Sequence, residues 1–334
     1  MRYIAVLTLA FMPAFLFAQP WEDEQLFGSN TSQTLRILSS TDTSFFAPVI
    51  DSFIAARPNI AVQYLVTGTA DLDDVFRQNP DQFDVVISSA MDLQLKLTND
   101  GFARQLPSIT HPDWAQWRSS LFAFTTEPAA IALNTAAFDG LPTPRTRQDL
   151  IQVLRENPDQ FIGKIGTYDV RQSGLGYLFA TQDARTSETF WRLMEVMGSL
   201  DAKLYCCSGD MIDDLIAGQI LVAYNVLGSY ALGRADTQDT LTVILPSDFP
   251  TTMMRSALVS KSASSPDLAE AFVSHLIALQ SDGARGVFPL PPLVGAQDTS
   301  ARASISLEPA LMTYLDTLKR QTFVREWEEA IIQE

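Results

Sequence analysis

DVVISSAMDLQLKLTNDG, Asp84 to Gly101, reads as a short buried strand, a serine turn and a helix, in that order. Val85, Val86 and Ile87 form an apolar run long enough for a strand covered on both faces. A serine oxygen can accept a backbone N–H that the first helical turn leaves unpaired, so Ser88-Ser89 predicts a helix start capped by serine. Asp92 falls in that first turn, where the helix dipole favours negative charge. Asn99-Asp100-Gly101 is a helix stop. Leu93, Leu95 and Leu97 alternate as strand residues do, but the flanking start and stop signals favour helix. In an open α/β sheet such a join lies at the carboxyl end of the strand, where ligands bind.

The same unit recurs on both sides of this stretch. Leu35 to Leu38 is a strand leading into Ser39-Ser40-Thr41-Asp42, and a helix-periodic segment runs from Phe45 to Ala56 and ends before Pro58. Ile60–Val66 is a strand, and Leu72–Phe76 a short helix stopped at Asn79-Pro80. Trp21 to Ser32 reads as a loose polar leader. Leu121 to Phe138, LFAFTTEPAAIALNTAAF, is a longer extended run holding Pro128, and reads as the chain crossing to a second lobe. Arg255–Ser260 reads as the return. RQNPDQF at Arg77–Phe83 comes back as RENPDQF at Arg155–Phe161, each after a short amphipathic helix and before an apolar strand. Either the same Asn-Pro stop serves equivalent places in two similar lobes, or the echo is chance.

The second lobe repeats the theme, with strands at Lys164–Thr167, Lys203–Tyr205, Gln219–Tyr224 and Leu241–Leu245, and helices at Leu175–Thr181 and Met211–Ala217. From Pro266 the chain is mainly helical and ends in an amphipathic Ala310–Ile332. The fold class expected is α/β, two lobes, each a mostly parallel sheet covered by helices, joined by two crossing segments. Residues 33–127 plus 261–334 are assigned to one lobe and 128–260 to the other.

The chain has 334 residues, 46% of them hydrophobic and 19% charged, which suits a globular protein with more than one core. Met1–Ala18 has the form of a secretory signal: Arg2, then an uncharged apolar run from Tyr3 to Phe17, too short for a membrane span. The expected location is therefore the periplasm. Removing that segment takes the net charge from −16 to −17, because Arg2 is its one charge. So acidic a chain argues against nucleic acid as a partner. The two cysteines, Cys206 and Cys207, are adjacent, which excludes metal-finger and CxxC redox spacing. They are either a vicinal disulfide that shapes its surroundings or two free thiols.

Four strand-to-helix joins carry serine: Ser39-Ser40, Ser88-Ser89, Ser173 and Ser208. Each one alone suits simple capping. Together, on the same side of their sheets, they would face one gap with hydroxyls, free N–H groups and partial positive charge, which suits an anion. Here the chain resembles the type II periplasmic solute-binding proteins of ABC importers, in the branch handling ferric ion, thiamine and organic phosphates or phosphonates. SSTDTSFFAPVIDSF, DVVISSAMDLQLKLTNDG, SGLGYL and AGQILVAYNVLGSYA carry the resemblance, which covers Leu35 to about Leu318. It implies two lobes closing by hinge motion over a small ligand, and a monomer working with an inner-membrane permease or, alternatively, with a membrane sensor kinase.

The candidate ligand-binding residues are Ser40, Thr41, Asp42, Ser88, Ser89, Tyr168, Arg171, Ser173, Gly174, Ser208, Asn225, Ser229 and Tyr230. Arg171 is the expected charge partner, because guanidinium matches phosphate and carboxylate bidentately. The resemblance also brings ferric ion, for which phenolates of Tyr168, Tyr224 and Tyr230 would serve. Adjacent tyrosines typical of ferric binders are missing after Tyr224, where Asn225 stands. No Ser-His-Asp order, HExxH, P-loop or GxGxxG occurs, so neither an enzyme nor a cofactor is expected. His111 and His275 sit in no catalytic setting.

Overall fold

The computed structural model describes residues 21–29, 33–233, 240–281, 290–293 and 304–333. The expected signal segment, Met1–Ala18, lies outside them. In chain order the first part runs β1 (Asp23–Phe27), β2 (Gln33–Ser39), α1 (Thr43–Ala55), β3 (Ile60–Val66), α2 (Leu72–Gln78), β4 (Val85–Ser88), α3 (Met91–Asn99), β5 (Gln116–Trp117) and β6 (Leu121–Ala123). β7 (Glu127–Asn134) carries the chain into the second part: α4 (Arg147–Glu156), α5 (Pro158–Phe161), β8 (Ile165–Tyr168), α6 (Gly174–Thr186), α7 (Thr189–Ser199) and β9 (Lys203–Tyr205). It continues through α8 (Ser208–Ile216), β10 (Val222–Leu227), α9 (Gly228–Leu232), β11 (Leu241–Ile244) and β12 (Thr252–Met253). β13 (Ser256–Val259), α10 (Pro266–Ser281), a 3-10 segment Pro309–Leu315 and α11 (Thr317–Ile331) complete it.

Two sheets result, ordered β1-β3-β2-β4-β13-β6-β5 and β11-β7-β10-β8-β9. Each is mixed. β3-β2-β4 and β10-β8-β9 pair in parallel, as right-handed strand–helix–strand units require. The strands that cross between lobes run back antiparallel beside them. α1 shows why the first lobe folds: Phe46, Val49, Ile50 and Phe53, at helix spacing, are all buried, with Phe53 edge-on to Phe272 of α10 at 5.1 Å. Each such side chain contributes about 1.5–3 kcal/mol on burial.

The opening stretch behaves largely as expected. α3 ends in a Schellman turn: Gly101 at φ +87° donates to the Thr98 carbonyl, and Phe102 N–H reaches back to Leu97. The serine cap is not used there. Ala90 occupies the N-cap position without a side-chain bond, and Ser88 Oγ instead accepts from Ala90 N–H at 3.1 Å. The Asn-Pro echo is structural: Asn79 (φ −140°, ψ 57°) and Asn157 (φ −132°, ψ 50°) end their helices in nearly the same conformation, one before β4 and one before β8.

Three expectations change. The expected loose leader, Trp21–Ser32, is ordered over its described part, 21–29, with 30–32 outside the described residues: Asp23–Phe27 pairs antiparallel with β3, and Trp21 packs edge-on against Phe83 at 6.1 Å. Only Phe27 of β1 is buried, so the edge strand left almost no apolar signal. The return crossing ends before Ser256, because Ser256–Val259 pairs with β4 inside the first sheet, so the second lobe stops near Arg255 rather than at 260. The C-terminal helix belongs to the second lobe, not the first. Phe323, Trp327 and Ile331 join the core of α4 and α7, and the carbonyl of Ala330 lies 2.5 Å from where a Cβ on Gly198 would stand. Pro309–Leu315 packs on α3 before reaching α11, which adds a third crossing.

Candidate functional site

The strand ends of both sheets open onto one cleft of about 520 Å³. Ser40, Ser89, Ser173 and Ser208 all line it, two from each lobe. On the first lobe, Ser40 Oγ donates to Ser88 Oγ (3.2 Å) and accepts from Ser89 N–H (3.3 Å), tying the end of β2 to the end of β4. Ser88 is thus a support behind the cleft. On the second lobe, Ser173 caps α6 by accepting from Gly176 N–H at 3.0 Å. Ser208 bonds the Tyr168 hydroxyl and accepts from Leu227 N–H. Burial pushes the Tyr168 and Tyr230 phenols well above their ordinary range, so both face the cleft as neutral hydroxyls.

The helix starts are not equivalent. The first amides of α6, at Gly174 and Leu175, are taken by Thr69 Oγ1 from the opposite lobe at 2.9 and 3.3 Å. Gly174 is required there: a Cβ would stand 2.7 Å from the Thr69 carbonyl. At α8 the amides of Ser208, Gly209 and Asp210 have no hydrogen-bond partner among the described residues, and all three residues line the cleft. The carboxylate of Asp42, from the other lobe, lies 3.9 Å from the place of a Cβ on Gly209, against this open helix end.

Cys206 and Cys207 form a vicinal disulfide in the cleft wall beside Ser208. It closes no loop that would staple the fold, so its effect is local shape. The rim is acidic. Glu22, Asp42 and Asp210 line the cleft, and burial together with Asp42, Asp210 and Asp71 raises the Glu22 carboxyl. Asp42 is likewise raised by burial and by Asp210, against the pull of Arg255.

Arg255 forms the floor and is fully buried. Its Nε and Nη2 donate to Glu127 at 3.0 and 3.1 Å, and its Nη1 donates to Thr41 Oγ1 at 2.5 Å. Burial alone would raise the Glu127 carboxyl. The Arg255 charge and hydrogen bonds from Arg255, Ser229 and Thr125 more than offset that and hold it low. Ser229 bonds Glu127 at 2.6 Å and lies behind the cleft, as does Thr41. Phe45 and Tyr230 stack across the lobes at 4.5 Å.

Besides Thr41, Ser88 and Ser229, which stand behind the cleft, two further expected contacts fail. Arg171 does not line the cleft: Asp169, two residues earlier, takes its Nη2 at 2.7 Å, and Glu328 of α11 takes Nη1 at 3.0 Å. Asn225 is the bulge residue of β10, at φ +61°, and the bulge directs its amide to Asp183 at 2.8 Å, away from the cleft. The ferric set does not assemble either. Tyr224 is buried with Arg147 and Asp183, at 2.7 and 2.9 Å, and is absent from the cleft. Sequence reasoning missed Arg255, Glu22, Asp210 and Thr69, whose roles arise from pairings far apart in the chain.

A two-lobed α/β shell with its cleft at the strand ends is the architecture of proteins that close over a small guest. A solved substrate-binding protein of an ABC transporter from Agrobacterium tumefaciens is 30% identical, with a TM-score of 0.85 over 94% of this chain and all of that one. The chain therefore belongs to the substrate-binding proteins of ABC transporters, in the type II branch. The fold is shared with the periplasmic binding protein AfuA of Actinobacillus pleuropneumoniae, solved with fructose-6-phosphate (15% identity, TM-score 0.71, covering 91% and 100% of the two chains). It is shared too with iron-bound HitA of Pseudomonas aeruginosa (14% identity, TM-score 0.65, covering 89% and 99%). No protein-family model and no curated protein matches the chain.

Proposed function

We propose that this chain is the periplasmic receptor of an ABC importer, taking a small organic anion into the interlobe cleft and presenting it to an inner-membrane permease. The organic phosphates, phosphonates and carboxylates are the ligand class. The observation that carries the reading is the open start of α8: three unpaired amides and the Ser208 hydroxyl face the cleft, with Ser40, Ser89 and Ser173 around them. Fructose-6-phosphate in the AfuA structure is in keeping with it. Arg255 lends positive potential from the floor, but its direct hydrogen bonds go to Glu127 and Thr41.

A thermal-shift screen of the mature chain with sugar phosphates, phosphonates, dicarboxylates and Fe(III) tests this. A ligand at 100 times its Kd stabilises the folded form by about 2.7 kcal/mol. Ser208→Ala should weaken the best anion about five- to tenfold, the loss of one hydrogen bond. A melting temperature that responds to Fe(III) and to none of the anions would overturn the reading.

A further inference from the structure

The anion site leaves part of the cleft unexplained, since an anion alone gains nothing from a rim of carboxylates. Glu22 comes from the segment before β1 and Asp42 from the start of α1, both in the first lobe, while Asp210 lies in the first turn of α8 in the second. Among the described residues no lysine or arginine is paired with any of the three. They feel one another across the cleft: Asp210 helps to raise both the Glu22 and the Asp42 carboxyls. Closing the lobes therefore brings like charges together.

A second feature at the same end calls for a guest. Thr67 lines the cleft at 1% exposure, and its hydroxyl has no hydrogen-bond partner. A buried hydroxyl left unpaired is costly unless something arrives to pair it. Next to it, two carboxylate oxygens converge on Gly68: Glu22 Oε1 and Asp71 Oδ2 each lie 3.3 Å from where its Cβ would be. Two carboxylate oxygens thus meet at the residue that follows an unsatisfied hydroxyl, in the cleft wall. An ammonium group, with three donors and no acceptor, fits this chemistry.

We infer that the ligand is zwitterionic: its anionic group sits at the open start of α8, and a protonated amine on the same molecule sits among Glu22, Asp42 and Asp210 beside Thr67. This rests on the anion reading above and narrows it to amino-bearing phosphates, phosphonates or carboxylates. The amine supplies the charge that lets the two acidic rims approach.

Calorimetry on the mature chain with matched pairs tests it: aminoalkylphosphonate against alkylphosphonate, hexosamine phosphate against hexose phosphate, and simple alkylamines as cations without an anion. The amine-bearing member of at least one pair should bind at least tenfold more tightly than its match. Glu22→Gln and Asp210→Asn should each cut that preference about tenfold, as loss of a charge-assisted contact does, and should not lower the melting temperature of the free protein, since each removes one of three carboxylates that repel one another. Amine-free partners binding equally well, or a preference untouched by both substitutions, would overturn the zwitterion while leaving the anion site standing. Tight binding of simple amines with no response to any anion would overturn the anion reading and the zwitterion, leaving only a cation site. Binding by neither class would sink both.

Discussion

Removing the charge of Glu127 should destabilise the protein more than any single change at the cleft rim. Glu127 opens the outgoing crossing and Arg255 closes the returning one, which run side by side with Met253 opposite Glu127. The pair has 0% and 1% side-chain exposure, with contacts at 3.0 and 3.1 Å. At such a separation, with an effective dielectric near 20, the attraction is about 5 kcal/mol. Glu127→Gln leaves the guanidinium buried without its counter-charge, and cases of this kind cost roughly 3–5 kcal/mol. For a chain of this size that is a fall in melting temperature of about 5–8 °C. The double substitution Glu127→Leu with Arg255→Met should recover most of it, since the cost lies in the stranded charge and not in the lost pair. The wild type has a matching pH signature. The Glu127 carboxyl is held below its ordinary 4.5, so the stability it contributes is present above that value and is lost as pH falls through the folded-state value. Glu127→Gln should flatten that acid limb. Scanning calorimetry between pH 3 and 8 reads both effects. A Glu127→Gln protein melting within a degree or two of wild type would refute the reasoning, because it would mean that water reaches Arg255.

Three further outcomes follow from particular contacts. Arg171→Ala should leave ligand affinity within about twofold, measured by calorimetry, because its guanidinium is committed to Asp169 and Glu328 outside the cleft. Gly174→Ala should lower affinity at least tenfold, measured by calorimetry, because its Cβ would stand 2.7 Å from the Thr69 carbonyl of the other lobe and hold the lobes apart; unchanged affinity would count against that contact. Asp92 is buried on α3, and burial lifts its carboxyl from 3.8 to about 7. A group raised in the folded state stabilises below its unfolded value and loses that stability as pH rises through the folded one, here between about 4 and 7, by roughly 4 kcal/mol. Asp92→Asn should therefore be more stable than wild type at pH 8, and equal melting curves at pH 8 would count against a buried Asp92.

Much of this architecture was legible because it is local. The strand, turn and helix of Asp84–Gly101 are specified by residues adjacent in sequence, down to the glycine at φ +87°. The Asn-Pro echo kept its conformation for the same reason. What could not be read depends on partners far along the chain. Arg255 is 128 residues from Glu127, and nothing near it in sequence distinguishes it from a surface arginine. Arg171 looked like an anion ligand, although Asp169, two residues before it, takes its guanidinium at 2.7 Å; what the sequence did not reveal is that its second partner, Glu328, comes from a helix 157 residues away. Asn225 stood at the end of an apolar strand, the right place for a ligand contact, and one extra residue in the register turned it away. The serines were legible as a set, but not which helix start would keep its amides free, since Thr69 crosses from the other lobe to take those of α6.

The strengths of the contacts fall in an order that bears on how the cleft works. At the pivot, crossing strands are locked by a buried ion pair and its hydroxyl partners, a cluster that costs several kcal/mol to break. At the rim, the lobes meet through the hydroxyl of Thr69 on two α6 amides, about 1–2 kcal/mol net, and the Phe45–Tyr230 stack, about 0.5–1.5 kcal/mol. The carboxylates of Glu22, Asp42 and Asp210 oppose even that. Closing without a ligand is therefore balanced to within a few kcal/mol, while the axis about which the lobes turn is not. A ligand shifts such an equilibrium only by the difference in its affinity for the two states. A guest that touches α8 on one lobe and Glu22 on the other makes its second set of contacts only when the lobes have closed, so nearly all of that second interaction goes into closure.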